Sequence, residues 1–267
     1  MHKKAAYFLF PLIVCAANFM VLTDAQAVAP LVTDRPTDSV APVVVPKRSF
    51  QVEAGYKASD IDSEKGDGTS HVFPELLMRY GFSDRFEGRL YASGWTIEDK
   101  STGSEYGFSD INIGTKIFLA EEKNYYPAMA LLIDVSVPLG STELTSNYVI
   151  PEVLFVGSNT LSEHLSLTYN VGPSYVTYKE AGQRKSDWDM SYAIALHGPV
   201  NESISWFSEI YGTYIYGRKI PDRHNLQAGT TIALSSGIQL DFRGGIGLVS
   251  YEPDWFAGAG IAFRFLR

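Results

Sequence analysis

From Phe50 onward, apolar and polar residues change places at every second position, in one short stretch after another. Successive side chains of an extended strand point to opposite faces, so this period predicts strands with one oily and one polar side. Over 187–197, Trp188, Met190, Tyr192, Ile194 and Leu196 oppose Asp187, Asp189, Ser191, Ala193, Ala195 and His197. The last segment repeats the pattern, with Trp255, Ala257, Ala259, Ile261, Phe263 and Phe265 opposite Phe256, Gly258, Gly260, Ala262 and Arg264. Nothing recurs at helical spacing over three turns, and the apolar stretch Tyr126 to Leu139 is broken by Asp134. A helical membrane span is therefore not expected after the N-terminus. Twelve strands are predicted, at about 50–59, 71–80, 85–97, 106–119, 127–137, 149–158, 164–178, 187–199, 203–216, 223–235, 237–248 and 254–265.

The connections alternate in length. Short ones (Gly81 to Asp84, Asn159 to Glu163, Asn201-Glu202, Ser236) follow even strands. Longer polar ones (Asp60 to Ser70, Glu98 to Glu105, Pro138 to Tyr148, Lys179 to Ser186, Gly217 to Asp222) follow most odd strands. Short periplasmic turns and long outer loops are the pattern of an outer-membrane barrel, and an even strand count leaves both termini on the periplasmic side. A soluble barrel would alternate equally well with its apolar face inward. Three features favour the reverse. One face carries many charges: Glu53, Lys57, Glu75, Arg79, Glu87, Arg89, Lys116, Asp134, Asp189, Glu209, Asp241, Arg243 and Arg264. Aromatics gather at strand ends: Tyr56, Trp95, Tyr106, Tyr175, Trp188, Tyr214 and Trp255 near the long loops, and Phe50, Tyr80, Phe86, Phe118, Trp206 and Phe265 near the short turns. Such girdles mark the two membrane interfaces. Finally, the chain closes on an amphipathic strand, Trp255 to Phe265, of the kind that barrel-assembly machinery reads, with Leu266 and Arg267 running past the terminal Phe. The expected fold is all-β, a transmembrane antiparallel up-and-down barrel.

Composition removes other classes. Lys plus Arg total 22 against 30 Asp plus Glu, a formal charge of −8 that argues against a nucleic-acid partner. The single cysteine, Cys15, excludes a disulfide framework and a cysteine-based zinc site. Residues 1–27 read as a secretory signal: His2, Lys3 and Lys4 precede an apolar run from Ala5 to Leu22, and Ala25-Gln26-Ala27 offers a cleavage site. Residues 28–49, which include Pro30, Pro36, Pro42 and Pro46, fit no strand. They are expected to form an extended periplasmic leader, with a plug folded into the lumen as the alternative. Residues 50–267 are the barrel.

The segments Leu31-Val32-Thr33-Asp34-Arg35-Pro36, Val45-Pro46-Lys47 and Phe50 to Tyr56 resemble the opening of the phenol meta-pathway degradation family of outer-membrane proteins. Asp254-Trp255-Phe256, continuing through Gly258-Ala259-Gly260 to Phe265, is similar to that family's closing strand. The resemblance implies an outer-membrane transporter, and the family has no catalytic motif to carry over.

The thirteen charged residues above are the candidate lumen-lining set. They either satisfy one another and stiffen the wall, or line a solute path. Arg79 and Glu87 are matched in parity around the Gly81–Asp84 turn and are expected to pair across it. Pro151 and Pro173 are expected nearly opposite one another on adjacent strands, with Gly172 beside them. Neither proline can donate to a ladder, so the place is either a bulge or a lateral seam. Among the histidines (His71, His164, His197, His224), His71 beside Ser70 is the best catalytic candidate, yet no Gly-x-Ser-x-Gly elbow or His-Glu-x-x-His motif accompanies it. The expected function is passive uptake of a small, aromatic or otherwise hydrophobic solute across the outer membrane, without a cofactor. A structural or adhesive barrel acting through its loops is the alternative, and an outer-membrane hydrolase a weaker one. Expected partners are outer-membrane lipid and lipopolysaccharide, barrel-assembly machinery and the solute.

Overall fold

The computed structural model describes residues 30–61, 68–100, 103–142, 144–218, 220–250 and 252–265. The expected signal segment with its cleavage site, Cys15, and the terminal Leu266 and Arg267 lie outside the described residues. The strands are β1 (Phe50–Ile61), β2 (Gly68–Ser83), β3 (Phe86–Ala92), β4 (Trp95–Lys100), β5 (Gly103–Phe108), β6 (Ile111–Ala120), β7 (Ala128–Val137), β8 (Ile150–Ser162), β9 (Leu165–Glu180), β10 (Gln183–Pro199), β11 (Ile204–Ile215), β12 (Arg223–Ser235), β13 (Ile238–Gly247) and β14 (Phe256–Phe265). Each pairs antiparallel with its neighbours, and β1 bonds both β2 and β14, so the sheet closes into a barrel; among the described strands only the short β5, which pairs with β4 alone, keeps an open side.

β3 and β4 both pair with β2 and are two lengths of one wall strand; β5 and β6 are likewise the two lengths of the next. The barrel therefore has twelve wall strands, as the alternation predicts. The interruptions at Ser93-Gly94 and Ser109-Asp110 are the departures. Gly94 takes φ +64°, and a Cβ there would run into the Pro74 carbonyl, so the bend requires glycine. Above the second break, Asp110 accepts hydrogen bonds from the Gly140 amide (3.0 Å), the Ser146 amide (2.8 Å) and the Ser146 hydroxyl (2.6 Å), pinning the outer loop after β7.

The distribution of polarity is inverted relative to a soluble domain. Of the largest fully buried side chains, Arg79, Lys116, Gln51, Gln227, Glu53, Glu87, Glu209 and Asp241 are polar or charged, and Val156 is the apolar exception. The outer surface carries Trp95, Trp188, Tyr214 and Trp255 near the long loops and Phe50, Tyr80, Phe86 and Phe265 near the short turns. A wall that is oily outside and ionic inside is stable only with hydrocarbon around it. The one apolar core cluster among the described residues is small: Ala130, Leu132 and Val156, with Leu154 against them, close over Val40.

Pro151 and Pro173 lie diagonally across the Glu152–Ser174 pair, and both are exposed on the outer face. The β8–β9 ladder resumes only at Phe155–Val171, passing over Val153 and Leu154 opposite Pro173 and Gly172. A Cβ on Gly172 would overlap the Val153 carbonyl, so the two backbones are in close approach there.

Candidate functional site

Residues 30–49 lie inside the barrel. The segment meets the wall at the short-turn end, where the Arg48 amide donates to the Gly81 carbonyl (2.7 Å) and the Gly81 amide to Ser49 (3.1 Å). Further along, the Val45 amide donates to Glu87 (2.7 Å). At Val40, the amide donates to Asn170 Oδ1 (2.6 Å) and the carbonyl accepts from Asn170 Nδ2 (3.0 Å). The Ser39 and Asp38 amides donate to Glu209 (2.7 and 2.9 Å), and those of Arg35 and Asp34 to Glu53 (2.8 and 3.0 Å). The Pro30 carbonyl finally accepts from Arg264 (3.0 Å), back at the short-turn end. An extended, proline-rich chain has no internal ladder, so its amides need outside acceptors when buried. Wall carboxylates supply most of them, and the Asn170 side chain and the Gly81 carbonyl the rest of those named.

Two ion clusters hold this segment. Around Asp34 stand Arg79, Arg89, Lys116, Glu53 and Glu87. The Arg79 guanidinium donates to both oxygens of Glu87 (2.9 Å each) and to Glu53 (3.1 Å), while the Lys116 ammonium reaches both Asp34 oxygens (3.1 and 3.2 Å). Arg89 bridges Asp34 and Glu87. Burial alone would push the Asp34 carboxyl up, but Arg79, Lys116 and Arg89 outweigh it and hold that carboxyl well below the ordinary range. The second cluster joins Arg35 to Glu75 (2.6 Å) and Asp241 (3.2 Å), and Arg243 to Glu75 (2.7 and 2.8 Å). Above it Asp38 is partly open to the cavity but enclosed by barrel atoms. Enclosure pushes its carboxyl up to about 6, helped by Glu209 and opposed by Arg243.

Over these clusters lies a cavity of about 510 Å³, reaching the Asp134–Glu152 pair on β7 and β8, Lys57 on β1, and Tyr91, Arg223 and Glu252. Of the thirteen charged residues, Glu53, Glu75, Arg79, Glu87, Lys116, Asp189, Glu209, Asp241 and Arg264 are buried, and Lys57, Arg89, Asp134 and Arg243 line the cavity. Glu53, Arg79, Glu87, Arg89 and Lys116 come together in the first cluster, and Glu75, Asp241 and Arg243 in the second. Glu209 anchors the segment, Asp189 pairs with Arg218 nearer the outer loops, and Arg264 binds backbone carbonyls. Lys57 and Asp134 stand in the cavity without a salt bridge among the described residues. Arg79 and Glu87 do pair, but diagonally: the residue directly opposite Arg79 is Arg89.

Sequence reasoning missed Asp34, Arg35 and Asp38, and the neutral anchors Gln51, Asn170 and Gln227. Charges inside a proline-rich stretch with no strand period were the available signal for the first three; the amides share the parity of the charged face. The histidines sit elsewhere: the His71 ring is hydrogen-bonded to the Tyr56 phenol (2.6 Å), and His224 to Tyr192 (3.0 Å).

The barrel resembles the COG4313 outer membrane channel from Pseudomonas putida F1, with TM-score 0.67 and 14% identity over 86% of this chain and 100% of that one. It also resembles the NanC porin (TM-score 0.53, 9% identity, 80% and 98% covered) and the translocator domain of the autotransporter NalP from Neisseria meningitidis (0.53, 10%, 81% and 88%). At such identities the likeness is one of fold. A comparison with curated protein sequences gave no match. The model of the family described as "Putative MetA-pathway of phenol degradation" matches residues 33–265, from the luminal Thr33 to the last described strand residue, and the chain belongs to that family.

Proposed function

We propose that this protein is a passive channel of the bacterial outer membrane for a small, aromatic or otherwise hydrophobic solute. The observation that carries the reading is a closed barrel, ionic within and oily without, whose 510 Å³ cavity stands above a segment held in the lumen by side-chain contacts. A purely structural barrel would have no need of such a cavity. The family description supports an aromatic solute. In this reading residues 30–49 act as a plug, the cavity is the outer vestibule, and the solute gradient drives passage. The break in the β8–β9 ladder beside Pro173 and Gly172 supports a lateral exit for apolar solutes into lipid. Delivery begins with removal of residues 1–27, and the β14 strand is the handle for barrel-assembly machinery; lipid and lipopolysaccharide surround the finished wall.

Liposome swelling tests the reading. Proteoliposomes of the refolded mature chain, challenged with sugars, organic acids and phenolic compounds, are expected to swell fastest with the phenolics. Equal and negligible swelling with every solute would reject it in favour of a structural role.

A further inference from the structure

On the inner wall, Glu75, Gly55, Gly260 and Asp241 stand side by side on β2, β1, β14 and β13. The two central glycines leave bare backbone between two carboxylates. A Cβ on Gly55 would fall inside the Arg35 guanidinium, and one on Gly260 would lie 2.7 Å from Arg35 Nη2. The result is a notch shaped for a flat cation. Arg35 fills it, donating to Glu75 (2.6 Å) and Asp241 (3.2 Å), and its Nε has no partner. All three side chains are more than nine-tenths buried.

The cavity above has more unpaired carboxylate than unpaired cation. Of its cations, Arg35, Arg89, Arg243 and Arg223 each already have a carboxylate within 4 Å, and Lys57 rests over the Phe256 ring (5.1 Å). Asp134 and Glu152, neighbours across β7 and β8, have no cationic nitrogen within that distance among the described residues; Glu152 accepts only from the Ser191 hydroxyl (2.9 Å). A cation descending from the outer face therefore meets unneutralised carboxylates first, and then a site already shaped for N–H donors.

We propose that the Glu75–Gly55–Gly260–Asp241 notch recognises the guanidinium or primary ammonium group of a small solute, and that Arg35 is its resident competitor. The solute's cationic head exchanges with the Arg35 guanidinium. Passage of that solute rests on the channel reading above; occupancy of the notch does not.

Arg35→Ala vacates the notch while the segment stays held, because the Arg35 and Asp34 amides still bind Glu53 and Val40 still binds Asn170. Calorimetric titration of the refolded, full-length mature R35A barrel with methylguanidinium is expected to give saturable binding. Binding to the wild type, where Arg35 competes, is expected to be about tenfold weaker, and R35A/D241N is expected to lose about tenfold relative to R35A. R35A/G260A, which fills the notch without changing its charge, should lose binding too, and tetramethylammonium, a cation without N–H donors, should not bind. Folding of each variant is verified by heat-modifiable gel mobility. Failure of folded R35A to bind, equal binding of tetramethylammonium, or indifference to both second substitutions would overturn the site. Binding by R35A with none by wild type even at high concentration would reduce Arg35 to a latch and overturn the exchange. Calorimetry needs no open pore, so a barrel that binds methylguanidinium yet swells with no solute refutes the channel and leaves the notch standing.

Discussion

Arg79 uses all five of its N–H donors: three on Glu87 and Glu53, and two on the carbonyls of Val32 (3.1 Å) and Val43 (3.1 Å). Its planar fork matches the Glu87 carboxylate, which a lysine cannot do. Arg79→Ala would leave the buried Glu53 without a cation and Glu87 with only Arg89 and Lys116, a loss of about 3–5 kcal/mol. Arg79→Lys is expected to recover less than half of it, read from urea midpoints of the refolded barrel in lipid vesicles. An alanine variant that unfolds at the wild-type midpoint would contradict this account. Asp38 answers to pH instead. With its carboxyl raised to about 6 when the segment is docked, the docked state holds a proton that a free Asp releases near 3.8. Docking is therefore favoured below that lower value and weakens as pH rises between about 4 and 6. The groups around Asp38 are Arg243, Glu209, Lys57 and Glu75. Asp34 works in the opposite sense: its depressed pKa stabilises docking above about 4 and is lost as pH falls further. Single-channel conductance should thus be higher at pH 8 than at pH 5, by no more than about tenfold because the cavity wets part of the Asp38 carboxyl. Asp38→Asn should flatten the difference.

At the level of strands, the alternation located every wall strand, because one face meets hydrocarbon and the other does not, so a slip of one residue would be costly. It missed the two interruptions, although each is marked by a one-residue slip of the outward apolar phase, from Leu90 and Ala92 to Trp95 and Ile97 and from Tyr106 and Phe108 to Ile111 and Ile113. Inner residues were legible by parity, whereas the luminal segment was not. A proline-rich chain shows no period, and its buried amides are satisfied by Glu53, Glu87 and Glu209, whose own place in the wall says nothing of what they bind. The proline seam was read from residue chemistry, and the ladder between β8 and β9 does lapse beside Pro173. If that lapse is a solute exit, Pro151→Cys and Pro173→Cys joined by a short bifunctional thiol reagent should cut uptake of an apolar phenolic severalfold and leave ion conductance unchanged. Undiminished uptake in the locked barrel would make the lapse a structural bulge.

For the molecule as a whole, the wall and the segment complete each other. Twelve strands enclose more space than their own side chains fill but less than an open porin does. Here the remainder near the short-turn end is taken by residues 30–49, which contact nearly every wall strand, from Glu53 on β1 to Arg264 on β14. Their removal has two consequences of opposite kind. It widens the lumen, and it strands charge: Lys116 loses Asp34, while Glu53, Glu87 and Glu209 lose backbone donors. Water admitted to the widened lumen can hydrate those groups, so the destabilisation should be smaller than for the same charges left dry. Deletion of residues 30–46 is therefore expected to raise single-channel conductance severalfold while lowering the urea midpoint of the barrel only modestly. Arg79→Ala, which keeps the segment and its bulk, should do the reverse. A deletion that leaves conductance unchanged would mean that the ion path does not run past this segment, and the plug would have to be abandoned.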